Sequence, residues 1–151
     1  VSRLADELPD GYKVVLVGTN DDVDKRLPKS IISIHRTADQ RELAGIYTSA
    51  DVLINPTRED NFPTVNIEAI ACGTPVVTFR TGGSPEILDS SCGIVVEKDD
   101  EEAMKDAVVR ICEQRLFTSE DCVKRGAMFE KRLKLGEYAS LYSEILSSEN
   151  K

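Results

Sequence analysis

The sequence predicts an α/β fold, a doubly wound parallel sheet with helices on its faces. Three observations carry this reading. Short apolar runs at 12–17, 31–34, 51–55, 75–79 and 93–96 recur between segments of helical periodicity, and strands that alternate with helices form parallel sheets. The runs at 12–17 and 51–55 are apolar almost throughout, as in strands covered on both faces. The stretch DNFPTVNIEAIACGTPVV at 60–77 reads as loop, helix, tight turn and strand in one unit.

The elements follow in order. Residues 2–8 read as the end of a helix that Pro9-Asp10-Gly11 closes. Residues 12–17 are a buried strand ending at Gly18, 21–27 a short polar helix, and 31–34 a strand. Residues 39–49 form an amphipathic helix with Leu43, Ala44, Ile46 and Tyr47 inward. Pro56 ends the next strand. The helix after it starts near 62–64, where Pro63 suits the first turn because its missing N–H costs nothing. Gly73 suits the left-handed exit from that helix. A strand at 75–79, a short helix at 85–88 and a strand at 93–96 come next. Residues 99–116 are the clearest helix, with Ala103, Ala107, Val108, Ile111 and Cys112 on one face and an acidic start that suits the helix dipole. Thr118 caps a further helix, and 136–146 is the last, with Tyr138, Leu141, Tyr142 and Ile145 inward.

At 151 residues the chain forms one domain. It holds no apolar run long enough to span a membrane, and its first residues show no signal-peptide pattern. A net charge of -8 argues against a nucleic-acid partner and against broad attraction to anionic lipid. Cys72, Cys92, Cys112 and Cys122 have no metal-ligand spacing. They read as reduced thiols of a cytoplasmic protein.

The chemistry concentrates at 55–68. Asp60 lies in a loop at the carboxyl end of a strand, the edge where open α/β sheets bind ligands. The helix start beside it offers the N–H groups of Thr64, Val65 and Asn66 to an anion such as a phosphate. Glu68 lies about 7 Å further along the axis, where it suits two adjacent hydroxyls such as those of a ribose. Asp60 suits hydroxyls of a sugar on the other side. The plain alternatives are a turn or capping role for Asp60 and a solvated helix position for Glu68. Arg58 points at phosphate or at solvent. Gly82 and Gly83 form either a plain turn or a close backbone approach to a ligand. His35, the only histidine, reads as a turn residue, since no orienting partner for a base is evident near it in the sequence.

This segment resembles the donor-binding motif of retaining glycosyltransferases of the GT-B fold, the large "glycosyl transferases group 1" family. That motif is an acidic residue, seven residues, then glutamate, followed by a CGTPVV-like turn. Asp60 and Glu68 fit it, with Asp in place of the commoner Glu; Glu59 would leave eight residues between. The segment LAGIYTSADV at 43–52, the glycine loop TGGSPEI at 81–87 and GIVV at 93–96 with Asp99-Asp100 resemble the family in the same order, over about 12–146.

The resemblance implies a Rossmann-like half of a GT-B fold that binds a nucleotide diphosphate-sugar donor, with no metal or other cofactor. It implies sugar transfer to an acceptor hydroxyl with retained configuration, in polysaccharide, glycolipid or related synthesis. Asp60 would bind the sugar with the amides of Asn61 and Phe62 beside it, Thr64 and Val65 the phosphate, and Glu68 the ribose. Gly82 and Gly83 would approach the donor, and the loop carrying Arg36 would meet the base. The glycan or glycolipid acceptor would bind an amino-terminal domain outside this chain, and a full-length enzyme of this kind admits peripheral membrane association. The family's second domain opens with a strand, a Gly-Arg pair and a Lys that contact the diphosphate. None has a counterpart before Tyr12, so residues 1–151 read as a carboxyl-terminal domain without its central first strand. The rivals are half of a sugar-nucleotide epimerase, which lacks the seven-residue motif, and a receiver-like module. The latter needs a phosphoacceptor Asp and a late Lys, which do not fall into place here.

Overall fold

The computed structural model describes residues 2–148. In order the elements are α1 (Ser2–Glu7), β1 (Val14–Val17), α2 (Asp21–Asp24), β2 (Ile31–Ile34), α3 (Gln40–Ser49), β3 (Leu53–Asn55), α4 (Thr64–Ala71), β4 (Val76–Phe79), α5 (Ser84–Ile87), β5 (Gly93–Val96), α6 (Glu101–Gln114), α7 (Ser119–Ala127) and α8 (Lys131–Ser148). The alternation places every strand in parallel pairing, as expected for an α/β fold. Val14 pairs with Ile31 in a sheet of β1 and β2. Leu53 pairs with Val76, and Val76 with Gly93, in a second sheet ordered β3-β4-β5. The parallel sheet is thus in two pieces, and among the described residues β1 and β3 each pair on one side only.

Side chains alternate across β4, so its two faces feed two cores. Val77 and Phe79 meet Leu4 of α1 and Met104, Ala107, Val108 and Ile111 of α6. Val76 meets Ala69 and Ile70 of α4, Ile87 of α5, and Cys92 and Cys122. Helices therefore cover both faces of the three-stranded sheet. Behind α4 lies α7 in backbone contact: a Cβ on Gly126 would sit 2.9 Å from the Ala71 N and Cα atoms. Gly73, at φ 86, ends α4 against Ser119, whose Cβ a side chain there would meet at 2.9 Å.

Four expectations need correction. The strand at 12–17 is not buried: Val15 and Val17 are exposed, because α2 and α3 bring no fully buried residue over it. Leu43, Ala44, Ile46 and Tyr47 of α3 are only half-buried. Tyr138, Leu141, Tyr142 and Ile145 of α8 are exposed and lie outside both cores. A helical pattern orients a face but does not fix how deeply that face is buried. Pro63 sits one step before the helix, as its extended N-cap residue at ψ 104, not inside the first turn. The expected face of α6 does meet the core: Ala107, Val108 and Ile111 are buried with Met104, and Ala103 and Cys112 pack half-buried against them.

Candidate functional site

The carboxyl ends of β3 and β4 meet in a polar cluster. Thr78 Oγ1 donates to the Asn55 carbonyl at 3.0 Å, and Thr81 Oγ1 to the Thr57 carbonyl at 3.0 Å. Asn55 Nδ2 donates to Asn66 Oδ1 at 2.8 Å. These bonds fix the loop at 56–63 over the sheet edge. The glycine loop locks it from the other side, where Gly83 N–H donates to the Asn61 carbonyl at 2.8 Å. Gly82 holds φ 46, and a Cβ there would fall 1.7 Å from the Asp60 carbonyl oxygen. One on Gly83 would fall 2.5 Å from the Phe62 ring. Both glycines are therefore required by the loop at 60–62 itself, a contact the sequence did not reveal.

Within that loop Asp60 accepts from the Phe62 N–H at 3.0 Å through Oδ1, an Asx turn that engages one of the two amides expected beside it. The helix behind it starts open. Side chains of Asn20, Asp39, Asp100 and Thr118 cap α2, α3, α6 and α7, whereas Pro63 gives α4 no side-chain cap. Asn66 N–H turns back to the Pro63 carbonyl at 3.1 Å. Among the described residues no acceptor meets the Thr64 and Val65 N–H groups. Two unclaimed donors at the positive end of an eight-residue helix are an anion site in form.

Glu68 is exposed one turn further on, and its Oε2 accepts from the Tyr47 hydroxyl at 3.1 Å. Burial first, and the Glu68 charge second, push the Tyr47 phenol far above its ordinary range, so it stays a donor. Tyr47 read as a core residue in the sequence; the bond joins residues 21 apart. Deeper in, Asn66 Nδ2 and Ser84 Oγ are buried with no hydrogen-bond partner among the described residues.

The cations lie elsewhere. Arg58 turns across the sheet edge to Asp99, Nε to Oδ1 at 2.5 Å. It also lines a cavity of about 300 Å³ with Leu4, Pro56, Phe79, Glu101 and Met104. Arg36 is exposed at the end of β2, on the other sheet. Beside it His35 does have a partner: its Nε2 lies 2.6 Å from Asp24 Oδ2 and 3.9 Å from Asp21. Asp24 also accepts from Ser33 Oγ at 2.6 Å. The Asp24 bond raises the His35 pKa, and the Ser33 and His35 bonds lower that of Asp24.

A brace from the carboxyl-terminal helices reaches the loop. The Phe129 ring lies 6.1 Å from that of Phe62, and the Arg125 guanidinium stands 5.0 Å over Phe129. Arg125 also donates to the carbonyls of Ile87 at 2.8 Å and Glu86 at 2.5 Å, tying down the end of α5. The structure thus brings together Asp60, Asn61, Phe62, Thr64, Val65, Gly82 and Gly83, with Glu68 along the same helix. It turns Arg58 aside and leaves Arg36 on the separate sheet.

Comparison with known proteins bears on this geometry. The family model described as "Glycosyl transferases group 1" matches residues 1–114. The D-inositol 3-phosphate glycosyltransferase of Corynebacterium glutamicum (strain R) is 31% identical over 113 residues, 72% of this chain and 27% of that protein. The enzyme of the same name from Corynebacterium jeikeium (strain K411) is 33% identical over 108 residues, 69% of this chain and 26% of that protein. The matched stretch thus spans about a quarter of these relatives. Among solved structures, sucrose-phosphate synthase from Thermosynechococcus elongatus superposes with a TM-score of 0.73 at 23% identity, over 90% of this chain and 39% of that one. Anabaena Alr3699/HepE in complex with UDP gives a TM-score of 0.73 at 20% identity, over 97% and 43%. The lipopolysaccharide outer core galactosyltransferase WaaB gives 0.79 at 12% identity, over 93% and 43%. The motif, the parallel α/β architecture and these matches agree: the chain belongs to the glycosyl transferases group 1 family and has the fold of a carboxyl-terminal GT-B domain.

Proposed function

We propose that this chain is the donor-binding half of a retaining glycosyltransferase, holding a nucleotide diphosphate-sugar while a second domain presents the acceptor hydroxyl. The observation that carries the reading is the open start of α4 between two carboxylates, Asp60 on its loop side and Glu68 along its axis. The Thr64 and Val65 amides take a phosphate, Glu68 takes ribose hydroxyls, and Asp60 takes hydroxyls of the transferred hexose. Sugar transfer passes through a cation-like sugar, so these groups act by placing the donor and stabilising the departing diphosphate. The reading calls for no metal. Anabaena HepE, similar in fold, has been solved with UDP, with UDP-glucose, and with UDP and glucose, which supports a uridine nucleotide as the first probe. The one-sided pairing of β1 and β3 supports the view that a further parallel strand belongs between them in the whole enzyme.

The test is calorimetric titration of the full-length protein with UDP. A hydrogen bond to a charged group is worth about 1.5–3 kcal/mol, so Glu68→Ala weakens UDP about ten- to a hundredfold. Asp60→Ala leaves UDP binding nearly intact and lowers turnover of the sugar nucleotide. Equal losses in both, or none in Glu68→Ala, show that the two carboxylates are misassigned.

A further inference from the structure

We infer that Tyr47 is a positioning residue for Glu68: its hydroxyl holds one carboxylate oxygen so that the other is presented to the ribose hydroxyls of the donor. The inference rests on the donor-binding reading above and deepens it. Glu68 stands exposed on α4, and a glutamate there samples many rotamers, whose loss opposes binding. The Tyr47 bond to Oε2, at 3.1 Å, removes part of that freedom before the ligand arrives. A carboxylate has two oxygens and about four acceptor sites, so one phenol leaves Oε1 and a lone pair of Oε2 for two vicinal hydroxyls.

Tyr47 is itself anchored, which a positioning group must be. Its carbonyl accepts from Thr74 Oγ1 at 2.5 Å. Its side chain packs, partly buried, against the core that α4, α5 and α7 share. Thr48 Oγ1 reaches the Cys72 carbonyl at 3.4 Å, so α3 is tied to the carboxyl end of α4 next to the contact. The phenol stays protonated at ordinary pH and so acts toward Glu68 as a donor.

The experiment compares UDP with 2′,3′-dideoxyuridine 5′-diphosphate in calorimetric titrations of the full-length protein. The unaltered protein prefers UDP, and Glu68→Ala abolishes the preference. Tyr47→Phe keeps the ring, weakens UDP about three- to tenfold and leaves the dideoxy nucleotide unchanged. In the Glu68→Ala background Tyr47→Phe has no further effect on UDP, and this arm holds even where the substitution costs some thermal stability. If Tyr47→Phe weakens both nucleotides equally, or costs affinity once Glu68 is gone, Tyr47 acts through the fold and the inference is overturned. If Glu68→Ala weakens UDP and Tyr47→Phe does not, it is overturned while the donor-binding reading stands. If the unaltered protein fails to bind UDP, or Glu68→Ala leaves the preference intact, the ribose assignment falls and takes the inference with it.

Discussion

β1 and β4 are both four-residue parallel strands that open on Val-Val, with the sequences Val-Val-Leu-Val and Val-Val-Thr-Phe, yet they sit in opposite environments. β4 is paired on both sides, buried at every position and covered by α6 on one face and by α4 and α5 on the other. β1 is paired with β2 alone, and Val15 and Val17 reach solvent. The run of β-branched residues makes each a strand. Burial comes from what the rest of the chain lays over it, and the helices that follow β1 and β2, α2 and α3, carry no fully buried side chain.

The sharpest way to break this contrast is to delete the same atoms from each half. Ile70 of α4 is 0% exposed and Ile32 of β2 is 49% exposed. Ile70→Ala is expected to cost about 2–5 kcal/mol and Ile32→Ala no more than about 0.5 kcal/mol, read from urea midpoints. Equal losses would show that the two halves share one core.

Hydrogen exchange reads the same difference without mutation. The amides of β4 are expected to exchange only through global unfolding, and those of β1 and β2 earlier, through local opening. Identical protection in both sheets would contradict the division.

A smaller effect concerns how α2 is held to β2. The bond from Asp24 raises the His35 pKa above its ordinary 6.5. The pair therefore contributes fully below about pH 6.5, and the contribution is lost as pH rises through the higher folded value. Asp24 is lowered below its ordinary 3.8, so its own contribution is present above that pH and is lost as pH falls through the folded value. The window of full contribution lies between the two. An NMR titration of the His35 ring should show a midpoint above 6.5 that Asp24→Asn brings down. An unchanged midpoint in the variant would mean that the contact does not persist in solution.

The smallest effect belongs to the Arg58–Asp99 pair. Asp99 holds a left-handed φ of 66, so Asp99→Gly relieves backbone strain. It also removes an ion pair between exposed side chains, worth about 0–1 kcal/mol. The two nearly cancel, and thermal unfolding of the variant should stay within a few degrees of the parent.

Strand and helix alternation, the glycine and proline punctuation and the 60–68 motif were legible because each is written in residues close in sequence. What was not legible depends on pairs far apart. Tyr47 meets Glu68 across 21 residues, Arg58 meets Asp99 across 41, and His35 meets Asp24 across 11. No periodicity announces such pairs. The open start of α4 was half legible: Pro63 marked the helix boundary, but only the geometry shows that the other helices of at least nine residues for which a cap is defined carry one of their own. The outward face of α8 was misjudged because an apolar stripe is compatible with any neighbour.

The contact between Gly126 and Ala71 has a consequence for motion. Two helices that touch backbone to backbone have no side-chain layer between them to act as a cushion. Tilting α4 toward α7 would drive main chain into main chain, and Gly73 against Ser119 blocks the same movement at the helix end. The helix that carries Thr64, Val65 and Glu68 is in effect a fixed rail. Adjustment to ligands of different size is left to the loops at 57–62 and 81–84, which are joined to each other and travel together.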